Sequence, residues 1–232
     1  MATETGPGPQ VPLNRQRVLR AAVSVADARG IESLTMRSLA EALGVEAMSL
    51  YYHVANKEAI LDGVVEVIMG EIDEAVNRAD VPAAEDGWKT ALRARILAAR
   101  GVLLRHPWAP GVFGTRTTTS LAVVRYFDAV VGVLRAGGFS YDLIHHALHA
   151  LGSRALGFTQ ELFEPANNDG DDDAATEMLE QLVDQVPYVV EMMGEVAHDD
   201  PDSTLGWCDD QVEFEFGLDL ILDGLERLRA TA

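Results

Sequence analysis

Cysteine is almost absent from this chain of 232 residues, since Cys208 is the only one. A single thiol cannot form an internal disulfide, so we expect a protein of the reducing cytoplasm. Apolar runs are short, and none reaches the roughly 20 residues that a membrane-spanning helix needs. The opening segment MATETGPGPQVP lacks a basic stretch followed by an apolar one, which predicts a flexible tail at 1–12 and no signal peptide.

Motifs of several common enzyme classes are missing as well. The chain has no Gly-x-Ser-x-Gly elbow, no phosphate-binding loop and no His-Glu-x-x-His pair. The run 167–173 is acidic like a calcium loop, but alignment on Gly170 puts Pro165 first, where such a loop needs a carboxylate. His145 and His149 lie one helical turn apart without a third ligand nearby. We therefore predict neither a metal site nor a cofactor.

Basic residues are scarce, with 18 Lys and Arg against 37 Asp and Glu and a formal net charge of -19. Their distribution is uneven, because residues 1–57 hold six Lys and Arg against five Asp and Glu. The acidic excess therefore lies in residues 58–232, where it would repel phosphates. Only the N-terminal part of the chain is expected to approach a nucleic acid.

Apolar residues recur at helical spacing along most of the chain, and no strand ladder is evident, which predicts an all-α fold. The Pro- and Gly-rich stretch 106–114 is expected to separate two helices. The predicted helices cover 14–28, the segment between Thr35 and Gly44, 45–52, the segment from Asn56 to a polar run at 77–87, 88–104, 118–135, 141–163, 176–196 and 209–229.

The segment 30–57, GIESLTMRSLAEALGVEAMSLYYHVANK, contains two short predicted helices around a glycine turn. This layout is typical of a helix-turn-helix DNA reader, which needs a scaffold helix, a tight turn and a second helix with a free outer face. Leu39, Leu43, Val45 and Leu50 are expected to hold the two helices together. Helix-glycine-helix pairs also occur in proteins that do not bind DNA, so spacing alone leaves both interpretations open.

The remaining side chains of this segment point outward or forward and are our candidate DNA contacts. Ala47 and Met48 could touch thymine methyl groups, whereas Tyr51 and His53 suit phosphates. Lys57 begins the next helix, where exposed backbone N–H groups favour a phosphate. Tyr51 and its neighbour could instead belong to the core. The full predicted set is Arg37, Ala47, Met48, Ser49, Tyr51, His53 and Lys57.

Residues 13–62 resemble the DNA-binding domain of the TetR family, the tetracycline-repressor-like bacterial regulators. In that family the seven positions just named face DNA, with Ala47 and Met48 at the variable reading positions. The resemblance is carried by Gly30-Ile31-Glu32, Leu34-Thr35, Arg37, Leu39-Ala40, Leu43-Gly44-Val45, Leu50-Tyr51, His53-Val54, Asn56-Lys57 and Leu61.

The rest of the chain is similar to the C-terminal domain of tetracycline-repressor-type members. The similarity implies a helical domain that binds a small molecule and dimerises through a four-helix bundle. We therefore divide the chain into a tail at 1–12, a DNA-binding domain at 13–60 and an effector-binding and dimerisation domain at 61–232. The matching segments are Gly114-Thr115-Arg116, Gly137 with Phe139-Ser140, Gly157 with Leu162, Phe216-Gly217-Leu218 and Gly224-Leu225-Glu226.

Two predicted helices carry apolar faces suited to a two-fold contact between subunits. A monomer could instead bury the same faces in its own core. A dimer is favoured because a single reading helix gives little specificity, whereas two helices about 34–36 Å apart read a palindromic site. The candidate interface residues are Ile144, Leu148, Leu151, Phe214, Leu218, Ile221 and Leu225.

Aromatic residues with one polar group are the candidates for an effector pocket, although each of them taken singly is more often core than ligand contact. In tetracycline repressors a histidine shortly before the Gly-Thr-Arg segment helps to hold the metal-chelated drug. Here Gly111-Val112-Phe113 occupies that place, so we expect a different ligand, apolar and metal-free. The candidates are Trp108, Phe113, Arg116, Phe127 and Phe158.

The sequence therefore predicts a ligand-responsive bacterial transcriptional regulator. We expect a repressor that binds a palindromic operator as a homodimer and is released by a small molecule. Two other hypotheses remain open at this point. One is an enzyme built on the same helical scaffold, and the other is an interaction module that has lost DNA binding.

Overall fold

The structure is a computed structural model that describes residues 12–79, 81–117, 120–157, 185–188, 191 and 210–231. Within these ranges all regular elements are helical, as predicted. No helix described there is both long and apolar enough to cross a bilayer. The helices are α1 (Arg15–Arg29), α2 (Met36–Leu43), α3 (Ala47–Leu50), α4 (Lys57–Arg78), α5 (Ala84–Arg105), α6 (Ala109–Thr115), α7 (Leu121–Ala136), α8 (Tyr141–Gly157) and α9 (Asp210–Thr231).

Side-chain caps start the helices of the N-terminal region where the sequence predicts them. Asn14 Oδ1 accepts from the backbone N–H of Arg17 at 2.8 Å, and Asn56 Oδ1 accepts from that of Ala59 at 2.8 Å. Thr35 and Ser38 cap each other in a capping box at the start of α2. These caps satisfy N–H groups that have no partner within their own helix.

Two parts of the predicted helix map are wrong. The third helix begins at Ala47 rather than Val45, because the Val45 N–H donates back to the Ala40 carbonyl at 3.0 Å in the turn made by Gly44. The stretch 106–114 contains α6, since Pro110 lies in the first turn, where its missing N–H is tolerated. The predicted helical residues 158–163 and most of 176–196 lie outside the described residues.

The chain divides into two compact units, residues 1–144 and 145–232. In the first unit, apolar residues of α1 to α6 form one core. Gly63 lets α4 approach α1 closely, because a Cβ added there would lie 2.4 Å from Cδ2 of Leu19. In the second unit, α9 buries Phe214, Leu218 and Leu222. The apolar core of the first unit thus holds α4 against α1, and α3 against α2, which itself packs on α1.

Candidate DNA-reading segment and effector site

Residues 47–57, which we name the reading segment, contain α3, the turn after it and the first residue of α4. Leu50 and Val54 are buried and attach the segment to the core. Met48, shortly before Leu50, is 72% exposed, and Tyr51 and Tyr52, between Leu50 and Val54, are 48% and 89% exposed. Large apolar and aromatic side chains therefore project into water from a firmly anchored backbone.

The structure places six of the seven predicted DNA contacts in the reading segment and the seventh, Arg37, in the first turn of α2. Met48, Tyr51, Lys57 and Arg37 are exposed, and the other three, Ala47, Ser49 and His53, are half-buried. The predicted set does not include Tyr52, for which a place in the core was left open. Its exposure excludes that reading.

The start of α4 carries an ion-pair network that joins it to α6. Nη1 of Arg116 lies 2.8 Å from Oε2 of Glu58 and 3.3 Å from Oδ1 of Asp62. Burial alone lowers the pKa of Arg116, but its hydrogen bonds to Glu58 and Asp62, together with their charges, outweigh burial and raise that pKa. The Arg116 side chain is only 12% exposed. Its positive charge offsets the negative charges of Glu58 and Asp62, which follow Lys57 on α4.

This arrangement changes the interpretation of Arg116. The sequence offered Arg116 as the polar contact for an effector, but its guanidinium is occupied by the two carboxylates of α4. Arg116 follows the last residue of α6, and Glu58 and Asp62 lie in the first two turns of α4. The pair therefore links the end of α6 to the helix that begins at the reading segment.

Trp108, another effector candidate, belongs to a second network, which we name the His106 clamp (Asp27, Glu71, His106 and Trp108). The Trp108 indole donates to Oδ1 of Asp27 at 2.8 Å. Nδ1 of His106 lies 2.7 Å from the same oxygen, and Nε2 lies 3.1 Å from Oε2 of Glu71.

Both His106 ring nitrogens face carboxylates, so only the doubly protonated imidazole can donate to both. The side chain is 8% exposed. The clamp joins α1 through Asp27 and α4 through Glu71 to the junction of α5 and α6. We therefore assign Trp108 to a structural contact in this structure.

The other effector candidates do not supply a polar contact. Phe113 is half-buried against the core of the first unit, and Phe127 on α7 is 43% exposed. Phe158 lies outside the described residues. In the described part of the chain, no group of three His, Cys, Asp or Glu side chains could hold a metal ion.

Sequence reasoning missed one polar pair, Arg95 on α5 and Tyr126 on α7, two helices that pack against each other. Nε of Arg95 is the buried side-chain polar atom that lacks a hydrogen-bond partner in the described residues. Burial raises the pKa of Tyr126 to about 12, although the positive charge of Arg95 acts in the opposite direction. The available signal was an arginine placed between Leu92 and Ile96, both buried positions of α5.

The predicted interface residues are mostly buried within the single chain. Ile144, Leu151, Phe214, Leu218 and Leu225 have little surface left for a second chain, while Leu148 and Ile221 are half-buried. Periodicity identified the apolar stripe, and its contact with a second chain stays a prediction. A neighbouring ridge of α9 is exposed instead, formed by Val212, Phe216, Leu220 and Leu228.

A buried scaffold carrying an exposed reading segment defines a DNA-binding regulator of the helix-turn-helix class. Comparison with known families agrees over most of the chain. Residues 18–64 match the family described as bacterial regulatory proteins, tetR family, and residues 81–229 match the tetracyclin repressor-like C-terminal domain. The chain therefore belongs to the TetR family, whose members are transcriptional regulators and not enzymes.

Individual relatives cover nearly the whole chain. The HTH-type transcriptional repressor DrrR1 of Streptomyces coeruleorubidus is 32% identical over 231 residues, which cover 96% of this chain and 81% of the relative. The tetracycline repressor protein class A from transposon 1721 of Escherichia coli is 31% identical over 221 residues, covering 94% and 92%.

A solved structure shares the fold. The crystal structure of a possible TetR family transcriptional regulator from Streptomyces coelicolor A3(2) superposes with a TM-score of 0.71 at 28% identity. The match covers 93% of this chain and 100% of that one.

Proposed function

We propose that this chain is a ligand-responsive repressor that binds a palindromic operator as a homodimer and is released by a small molecule. The observation that carries the proposal is the reading segment, where exposed Met48 and Tyr51 stand on buried Leu50. Repression is supported by the relatives, several of which are named as repressors.

In the proposed complex, the start of α3 enters the major groove. Ala47 and Met48 contact thymine methyl groups, and Ser49 contacts a base or a phosphate. Tyr51, His53 and Lys57 hold phosphates, and Arg37 reaches the backbone or a guanine. We add Tyr52 as a backbone contact because of its exposure.

The homodimer is proposed to form through the exposed ridge of α9. Val212, Phe216 and Leu220 follow one another at intervals of four residues, and Leu228 extends the row, which is the spacing of ridges that interlock between packed helices. Of the predicted interface residues, Leu148 and Ile221 are half-buried and keep surface for a second chain. A two-fold contact of this kind would present two reading segments at about 34–36 Å, one turn of duplex DNA.

Release is proposed to pass through α4. This helix begins in the reading segment and runs without interruption from Lys57 to Arg78. Its first turns are bound to Arg116, so a displacement of α6 by an effector would tilt α4 and move the reading segment. A thousandfold loss of operator affinity requires about 4 kcal/mol of effector preference for the released state.

The effector of the proposed switch is a mainly apolar molecule that needs no metal ion. Tetracycline repressors are among the relatives, but the segment Gly111-Val112-Phe113 has no histidine to help hold a metal-chelated drug. The packing of Phe113 on the core supports an apolar surrounding at this point.

The proposal is tested by selecting duplexes from a randomised library with the purified full-length chain. We expect enrichment of an inverted repeat and a steep loss of affinity with salt, because phosphate contacts release counterions. Enrichment of no sequence at low salt would refute the operator claim. Small-molecule release is then measured on the selected duplex.

A further inference from the structure

Arg95 carries a positive charge for which the described residues supply no paired carboxylate. It is half-buried on α5, its Nε is shielded from water, and no carboxylate among the described residues pairs with it. Arg116 has comparable surroundings but binds two carboxylates. Exposed arginines such as Arg125 need no partner because water solvates them.

A second polar group accompanies Arg95. Tyr126 lies on α7, which packs against α5, and the positive charge of Arg95 acts to lower the pKa of its hydroxyl. Because burial raises the pKa of Tyr126 to about 12, the hydroxyl keeps its proton at physiological pH and remains a donor. Arg95 and Tyr126 thus offer hydrogen-bond donors and a positive charge, and the described residues supply no carboxylate that pairs with Arg95.

Partly desolvating a guanidinium without an anion is unfavourable, so an unpaired arginine in a packed layer favours any anion that can reach it. The planar guanidinium presents parallel N–H donors that suit carboxylates and related oxyanions. Apolar neighbours flank both residues along their helices, since Leu92 and Ile96 on α5 are buried and Val123, one turn before Tyr126 on α7, packs against the apolar core.

We propose that Arg95 and Tyr126 form an anion subsite of the effector site, and that the effector is an apolar molecule carrying one acidic group. This inference rests on the proposed function, because it names the chemistry of the molecule that releases the repressor. It also supplies the polar contact that the sequence had assigned to Arg116.

A matched pair of fluorescent probes tests the subsite without knowledge of the natural effector. 8-Anilinonaphthalene-1-sulfonate has an aromatic body and one anionic group, and N-phenyl-1-naphthylamine has the same body without the charge. Both are titrated into the full-length protein, and the ratio of their two affinities is compared between variants. The ratio cancels effects on the apolar contacts that both probes share.

Arg95→Met should lower the affinity ratio in favour of the uncharged probe by about 10–100-fold, the value of a hydrogen bond to a charged group. Tyr126→Phe should lower the ratio by about 10-fold and serves as the second variant if Arg95→Met does not fold by circular dichroism. Arg125→Met removes an exposed arginine from α7 and should change the ratio by less than about twofold.

The proposal is overturned if the folded Arg95 and Tyr126 variants keep the wild-type ratio, or if the Arg125 control lowers it equally. A wild-type protein that binds neither probe also contradicts it. Failure of the proposed function looks different, because it would be an absence of duplex selection whatever the probes do. If the chain selects an inverted repeat but the probe ratio does not respond to Arg95, the repressor stands and the anion subsite falls.

Discussion

The reading segment and the packed helices α5 and α7 depart in opposite ways from the usual distribution, in which apolar residues are buried and charged residues are exposed. In the reading segment, Met48, Tyr51 and Tyr52 stand in water although their side chains would be more stable in a core. On α5, which packs against α7, Arg95 is half-buried, and no ion-pair partner for it lies in the part of the chain that the structure describes. Each departure costs free energy in the isolated chain.

The two departures differ in the kind of binding partner that each one indicates. Exposed apolar and aromatic groups beside a cation suit the grooves and phosphates of DNA. A shielded cation suits a small anion. Functional sites are expected where a side chain is not the one that stability alone would favour. An exposed apolar side chain or a shielded charge then indicates the chemistry of the missing partner.

The largest effect is expected in the reading segment. Tyr51→Ala combined with Lys57→Ala removes a contact of about 1–3 kcal/mol in each subunit, so affinity for the selected duplex should fall at least about 100-fold. Unfolding free energy should change by less than about 0.5 kcal/mol because both side chains are exposed. Fluorescence anisotropy and urea unfolding measure the two quantities.

Arg125→Ala is the control for this double variant, since it removes an exposed positive charge from α7. Its duplex affinity should stay close to that of the wild type. If the double variant and the control bind equally well, the reading segment does not contact DNA.

The His106 clamp shows what a buried polar group does when it has partners. His106→Gln should lower the free energy of unfolding by about 2–3 kcal/mol, because both donors of Gln lie on one amide nitrogen and cannot replace the two separate ring nitrogens that face Asp27 and Glu71. Thermal unfolding checks the change. Asp27→Asn should lower the stability too, and the two substitutions together should cost less than their sum. Strict additivity would show that the residues do not act as one unit.

Arg95→Met should change the free energy of unfolding in the opposite direction. Replacing a partly buried, unpaired charge by an apolar side chain of similar length is expected to raise the unfolding free energy by about 1–2 kcal/mol. Thermal unfolding without any ligand measures this. A loss of stability comparable to that of His106→Gln would mean that Arg95 has a structural partner, and the contrast with the clamp would disappear.

The smallest effect is expected at the ion pair that links the end of α6 to the first turn of α4. A double-mutant cycle of Arg116→Met and Glu58→Gln should give a coupling energy of about 0.5–1 kcal/mol, because Glu58 is mostly exposed and the pair is partly screened. Both variants should respond less to an effector in the duplex assay. Additive effects with an unchanged response would remove this pair from the proposed switch.

Local structure could be predicted from the sequence because its causes are local. Asn14, Thr35 and Asn56 start their helices through side chains that reach only three residues ahead. The reading segment follows from the same short-range pattern. The start of α3 was misplaced by two residues because the bond from Val45 to Ala40 depends on the geometry of the glycine turn.

Long-range partners could not be predicted in this way. His106 meets Asp27, and Arg116 meets Glu58, only after the helices have packed, so no spacing in the sequence indicates either pair. For the same reason the apolar stripe of α9 was found, but burial of Phe214 and Leu218 within the chain was not. Arg95 was overlooked because a charge without a partner leaves no pattern.

The central claim is that two copies of this chain read one operator through two reading segments. It is tested most directly by the stoichiometry of the complex with the selected duplex, measured by sedimentation velocity with labelled DNA. We predict two chains on each duplex, bound to inverted half-sites one helical turn apart, about 34–36 Å. A complex with a single chain on a non-repeating sequence would contradict the account.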